Sequence, residues 1–367
     1  MSDTGSSIFK KIVKGFIYVL VLLFIAEMFY RFFWTDPPMT EVVYGNHPTY
    51  HHVPKMFLKS GLGEMDYRKH PYQVEKPADT IRVAFIGDSF TYSFTPANET
   101  IPHYLRKMVQ QKYPDKKVEI LNFGFVSYSP LIEEVVYRRL VSQLKCDYVI
   151  QLYDTFDPQD DILYSKSTTF DENGVPLAVA GEEFLKTGIR ASALVRFVQF
   201  AYELIKNNWH YLPKHQRFES RIEFLLQPKD LQELIGYSFS VIKRLATKVK
   251  QDGSKFLLFQ YPPPHLMQDL SEFQNFMASW GINSEWQPPK ESPFTPLVLD
   301  FCRKEQLNCY DFGPNVRKME QNLGENGSRL KIYNNRDGHF TGFANLDFAG
   351  FILEKLESQG FPSIVNN

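Results

Sequence analysis

IRVAFIGDSFT (81–91) is the stretch on which the reading of this chain turns. Its first six residues are a run of strand length, rich in β-branched and aromatic side chains and closed by Gly87. A short run that is apolar on both faces fits a strand buried inside a parallel sheet. Working outward, four similar runs follow: VEILNFG (118–124), DYVIQLY (147–153), KFLLFQY (255–261) and LNCYDFG (307–313). Stretches with helical periodicity lie between them, at TIPHYLRKMVQQKY (100–113), IEEVVYRRLVSQL (132–144) and LQELIGYSFSVIKRLATKVKQ (231–251). Alternating strands and helices predict an α/β domain with a five-stranded, doubly wound parallel sheet.

Residues 156–230 break the alternation. They hold a turn-rich piece, FDENGVP (170–176), and an aromatic helical pattern, ALVRFVQFAYELIKNNW (193–209), and read as an insertion over the strand ends. A second insertion is expected at EFQNFMASWGINSEWQPPKESP (272–293). The expected organisation is a tail (1–14), a transmembrane helix (15–34), a linker and flap (35–78) and the main domain (79–367). His47, His51 and His52 have no carboxylate or Cys at ligand spacing. They read as surface histidines, so neither metal nor cofactor is expected.

The segment GFIYVLVLLFIAEMFYRFFW (15–34) has the ~20 residues needed to cross a bilayer as a helix. Lys10, Lys11 and Lys14 precede it, and Arg31 is the basic residue at its far end. That bias keeps the N-terminus in the cytoplasm. A cleaved signal peptide would need a small-x-small site, which Glu27 to Trp34 does not offer. A helix lying on the surface would need a polar face. The expectation is a single-pass protein of the cell (inner) membrane, with the lipid bilayer as a partner and the large domain in the periplasm or outside the cell.

The formal net charge is −1, so no overall field calls for nucleic acid. The three cysteines, Cys146, Cys302 and Cys309, form no CxxC or zinc spacing. Their odd number does not suggest a disulfide scaffold. Cys302 and Cys309 are expected as free thiols, although an oxidising compartment would let them pair, and Cys146 is expected to be buried.

Ligands of open parallel sheets bind beyond the C-terminal strand ends. Gly87 lets the chain leave the first strand sharply, which puts Ser89, after Asp88, at the upper edge. There its own N–H is placed to meet a developing oxyanion. A serine nucleophile needs a base, usually His at neutral pH. Near the C-terminus comes Asp337-Gly338-His339, followed by a helical pattern. A carboxylate two residues before His can orient the ring and stabilise the imidazolium.

At these residues the chain resembles the SGNH (GDSL-type) hydrolases, above all membrane-anchored bacterial members linked to acylation of envelope polysaccharides. Ser89 in IGDSFT is similar to the family's nucleophile block, and Asp337 and His339 to its last block. NETIPHYL (98–105) looks like its first helix. The resemblance covers residue 79 to the end, outside the insertions. It implies a three-layer, flavodoxin-like fold and Ser-His-Asp acyl chemistry. It also implies an oxyanion donor from the second block, where Ser127 stands at the expected glycine and Gly124 lies three residues earlier. The third block implies an Asn side-chain donor, but here Phe156 precedes Asp157.

Two functions follow. One is a membrane-anchored serine O-acyl esterase or O-acetyltransferase acting on an acylated glycan or small ester. The other is a non-catalytic subunit of the same fold in an assembly with other membrane proteins, favoured by Phe156. A phosphate- or nucleotide-binding domain is weaker, because neither GxGxxG nor GxxxxGK[ST] follows any strand.

Overall fold

The computed structural model describes residues 14–15, 18–19, 21–29, 34–35, 53–54, 75–93, 95–125, 128–166, 168–179, 228–262, 294–323, 331–334 and 338–363. Two compact units divide the chain: Met1–Ser60 with Ala180–Pro213, and Gly61–Val179 with Lys214–Asn367. In the first, residues 21–29 are helical, and Leu22, Phe24 and Ile25 are exposed. Trp34–Thr35 pairs antiparallel with Val53–Pro54. Among the described residues no helix is long and apolar enough to cross a membrane. The aromatic pattern at 193–209, the insertion at 272–293, Arg31 and the histidines at 47, 51 and 52 lie outside the described residues.

Elements of the second unit are numbered in chain order. The strands are β1 (Thr80–Ile86), β2 (Lys117–Asn122), β3 (Tyr148–Tyr153), β4 (Thr168–Phe170), β5 (Pro176–Val179), β6 (Lys255–Gln260) and β7 (Asn308–Asp311). The helices are α1 (Ser89–Tyr92), α2 (Ile101–Lys112), α3 (Pro130–Val136), α4 (Asp157–Ser165), α5 (Pro228–Gln251), α6 (Phe294–Glu305), α7 (Gly313–Leu323) and α8 (Gly342–Ser358). The main sheet has the order β2-β1-β3-β6-β7 and is parallel throughout. Counting only its own strands, this is the 2-1-3-4-5 order of flavodoxin-like folds. The five expected strands all form, each within a few residues of its apolar run.

Side chains alternate across each strand, so each strand serves both faces. On one face Ile81, Val83, Phe85, Tyr148, Ile150, Leu152, Leu257 and Phe259 join a single core with Ile101 and Leu105 of α2, Val316 of α7, and Phe348 and Ile352 of α8. On the other face the strands bury polar groups among apolar ones such as Ile86, Val149 and Leu258. Arg82 is fully buried; its Nε meets Glu119 Oε2 at 2.6 Å and its Nη1 donates to the carbonyl of Leu144 at 2.7 Å. Gln151 donates to Glu133 of α3, Tyr153 bonds Ser238 of α5, and Gln260 donates to Thr295 of α6.

Local sequence explains the helix starts. The Thr100 hydroxyl accepts from the N–H of His103 at the head of α2, with Pro102 in the first turn, and Thr341 caps α8 by accepting from Ala344. The single helix expected over 132–144 is broken up. After α3 it widens into a π turn at Tyr137–Val141, tightens at Ser142–Leu144 and stops at Lys145, whose φ is 49°. Arg82 takes the carbonyl of Leu144 at this end. FDENGVP turns the β4–β5 hairpin: the Asp171 carboxylate accepts from Asn173 and Val175, and Gly174 takes φ 74°.

Cys302 and Cys309 are joined in a disulfide, not free as the sequence suggested. The reason is a tight reversal. Helix α6 ends at Glu305, Gln306 takes φ 56°, and β7 begins at Asn308, which brings the two Cα atoms to 6.1 Å. Cys146 is free and buried, and burial pushes its thiol up to about 12.

Candidate active site

β1 ends at Ile86 and the chain turns through Gly87 and Asp88 into the single turn of α1. Two glycines let this turn sit on the strand ends. A Cβ on Gly87 would lie 2.0 Å from Thr91 Oγ1, and one on Gly124 would lie 2.4 Å from Thr91 Cβ. Gly124 is therefore a packing residue, and its N–H is spent on Asn122 Oδ1 at 2.9 Å. Asp88 caps α1 by accepting the N–H of Phe90 at 2.9 Å. Ser89 follows as the first helical residue, half-buried, with its N–H ahead of the helix's own hydrogen-bond ladder.

His339 comes from the far end of the chain. Tyr333 and Phe340 form an antiparallel bridge, and within it the N–H of Asn334 donates to the carbonyl of His339 at 2.7 Å. The N–H of Gly338 returns to Asn334 at 2.8 Å, with φ 77° at the glycine. This loop carries the His339 ring to the serine: Nε2 and Ser89 Oγ are 2.7 Å apart. The Phe90 ring backs the imidazole at 4.7 Å between centroids. With Nδ1 protonated, Nε2 accepts the serine's proton along this contact.

Of the expected site residues, the structure brings together Asp88, Ser89 and His339. Asp337 and Ser127 lie outside the described residues. Phe156 is half-buried and precedes α4, and its N–H donates to Asp154 Oδ1 at 2.9 Å. The N–H of Asp154 in turn donates to Asp157 Oδ2 at 2.8 Å, so the two aspartates close this loop on itself. Asp157 is buried as the first residue of α4.

Carboxyls crowd the floor behind the serine. Asp88 is pushed up to about 8 by burial and then by the charge of Asp154, against the pull of the Phe90 N–H and the Tyr261 hydroxyl. It is thus largely neutral at pH 7, and its Oδ2 lies 3.5 Å from Ser89 Oγ, so it does not compete with His339 as base. Burial raises Glu133 and Asp157 well above the carboxylate range and Asp161 to about 7. Among the described residues no group of three or more His, Cys, Asp or Glu could hold a metal ion.

The sequence did not single out Tyr261, whose hydroxyl donates to Asp88 Oδ1 at 3.0 Å, or the rings of Phe90 and Phe340. The available signal was positional: each phenylalanine directly follows a candidate catalytic residue, and Tyr261 ends an apolar run that reads as ordinary strand.

No family model and no curated protein matches the chain. Among solved structures, an acetyl xylan esterase from Geobacillus stearothermophilus aligns at 11% identity and TM-score 0.41, over 81% of this chain and 100% of that one. A gut microbial diltiazem-metabolizing enzyme aligns at 11% identity and TM-score 0.41, over 78% of this chain and 49% of that one. Likeness at that level assigns neither reaction nor substrate.

Proposed function

We propose that the chain is a serine O-acyl esterase or O-acetyltransferase that works through an acyl-enzyme. The observation that carries this reading is the 2.7 Å approach of His339 Nε2 to Ser89 Oγ at the C-terminal edge of a parallel sheet. Ser89 Oγ attacks the ester carbonyl while His339 takes its proton. The negative charge on the carbonyl oxygen is met by the N–H of Ser89, with Ser127 as second donor. His339 then protonates the departing alcohol, which leaves the acyl group on Ser89. Water or a sugar hydroxyl, deprotonated by His339, releases it. Asp337, two residues before His339, is assigned to hold the ring.

The substrate in this proposal is an acylated envelope glycan, and residues 15–34 anchor the chain in the cell membrane with its N-terminus in the cytoplasm. The exposed apolar side chains of the helix at 21–29 support the anchor. The Cys302–Cys309 disulfide supports a domain facing an oxidising space outside the cytoplasm. A second reading, a non-catalytic subunit of a membrane assembly, is favoured by Phe156, where the resemblance calls for an amide donor.

Hydrolysis of a small acetyl ester by the full-length chain separates the two. Ser89→Ala and His339→Ala should each lower the rate by about 10³-fold or more with the fold intact. Equal rates in wild type and both variants would overturn the enzyme reading.

A further inference from the structure

Ser89 and His339 stand 250 residues apart, and something must hold their side chains at 2.7 Å. Each is followed by a buried phenylalanine, Phe90 and Phe340, and these rings meet edge to face at 5.0 Å. Tyr261, just past the end of β6, touches both, at 4.5 Å from Phe90 and 5.8 Å from Phe340. Its hydroxyl reaches the residue on the other side of the serine, donating to Asp88 Oδ1 at 3.0 Å. The same Oδ1 accepts the N–H of Phe90. Tyr261 therefore grips the serine turn from both sides and the histidine loop from one. Tyr333 reinforces this from behind, with its hydroxyl on the carbonyl of Pro262 at 3.0 Å and its ring 5.1 Å from Phe340.

We propose that Tyr261 is a positioning residue for the Ser89–His339 pair, acting through its ring on Phe90 and Phe340 and through its hydroxyl on Asp88. The inference rests on the acyl-enzyme reading above and deepens it. The ring sets the spacing of the two catalytic segments. The hydroxyl governs Asp88. Groups facing that carboxyl are Asp154 and Asp157 at the end of β3 and the start of α4, Glu133 of α3, Tyr261 itself and, across Ser89, His339. Three of these are carboxyls, so Tyr261 supplies the side-chain hydrogen bond that eases ionisation of Asp88. Burial holds Asp88 neutral up to about pH 8. Above that pH its charge appears beside the serine and opposes the developing oxyanion, so turnover should fall.

The test is the pH profile of kcat for a small acetyl ester, in the full-length wild-type chain and in Tyr261→Phe. That substitution keeps the ring and deletes only the hydroxyl. The expected result is about a tenfold lower kcat at pH 7 with KM unchanged, and an alkaline limb displaced upward by about one pH unit. Asp88→Asn, which cannot ionise, should lack that alkaline limb whatever its rate at pH 7, and a limb retained in that variant overturns the inference even if Tyr261→Phe does not fold. A Tyr261→Phe profile that superimposes on wild type, or a lowered melting temperature with kcat and the limb unmoved, overturns the inference and leaves the enzyme reading standing. No Ser89-dependent turnover in wild type overturns both.

Discussion

One face of the sheet buries a wholly apolar cluster, while the other buries hydrogen-bonded polar groups among apolar ones such as Ile86, Val149 and Leu258. Under α2, α7 and α8 lie aliphatic and aromatic groups, with Phe312 stacked on Phe348 at 4.0 Å and Phe340 edge-on to both Phe90 and Phe348. Under α3, α5 and α6 lie Arg82, Gln151, Tyr153 and Gln260 with their hydrogen-bond partners. The first face stabilises by removing apolar area from water, which is indifferent to pH. The second holds carboxyls that are costly to ionise, so its contribution changes with pH. The serine turn lies where the two meet: Phe90 belongs to the apolar core, while Asp88 faces the carboxyls.

Truncating the apolar face should have the largest effect. Phe340→Ala removes a fully buried ring that touches Phe90, Tyr261, Phe312 and Phe348. A loss of about 3–5 kcal/mol is expected from chemical denaturation, equal at pH 5 and pH 8. A strong pH dependence of that loss would break the contrast between the faces.

The acid-bearing region should show itself in a pH scan. Asp161 has an ordinary value of 3.8 and is raised on folding to about 7; Asp88 is raised to about 8. Between the unfolded and folded values the native chain holds protons that the unfolded chain has lost. Stability therefore falls as pH rises through that window. The melting temperature should drop by roughly 5 °C or more between pH 5 and pH 8. A rise over that range would contradict the assignment.

Asp161→Asn sharpens the same point. Asp161 Oδ1 accepts the N–H of Leu131 at 2.8 Å, and the amide oxygen of Asn can keep that bond. The variant's gain should be larger at pH 8 than at pH 5, by about 1–2 kcal/mol, because the cost of the buried carboxyl grows across the window. A gain of the same size at both pH values would tie the effect to packing instead of charge. The smallest stability effect is expected at half-buried Phe156. Phe156→Asn should cost less than about 1 kcal/mol and raise ester turnover by about tenfold if an amide there reaches the oxyanion. Unchanged turnover with an intact fold would remove that position from the oxyanion site.

The strands were legible because they are buried on both sides and so stand out as apolar runs. The buried polar pairs were not legible: Arg82 and Gln151 lie inside runs that read as apolar, and their partners Leu144 and Glu133 lie on other elements, which no local pattern reveals. Ser89 and His339 were legible because each follows a short motif at a strand end or before a helix. The carboxyl floor was not: Asp88, Glu133, Asp157 and Asp161 are spread over three segments and converge only through the crossovers. Tyr261 was hidden because its ring suits a strand and only its hydroxyl reveals the other role. The cysteine pair was misjudged because a spacing of seven becomes a disulfide only through the reversal at Gln306.

The central claim is that Ser89 is a nucleophile activated by His339. Treating the full-length chain with a fluorophosphonate at pH 7 and locating the adduct by peptide mass spectrometry tests it most directly. A single adduct on Ser89, lost in Ser89→Ala and strongly slowed in His339→Ala, is the predicted result. A folded wild-type chain that takes no adduct, or takes it on another residue at the same rate in His339→Ala, would contradict the claim.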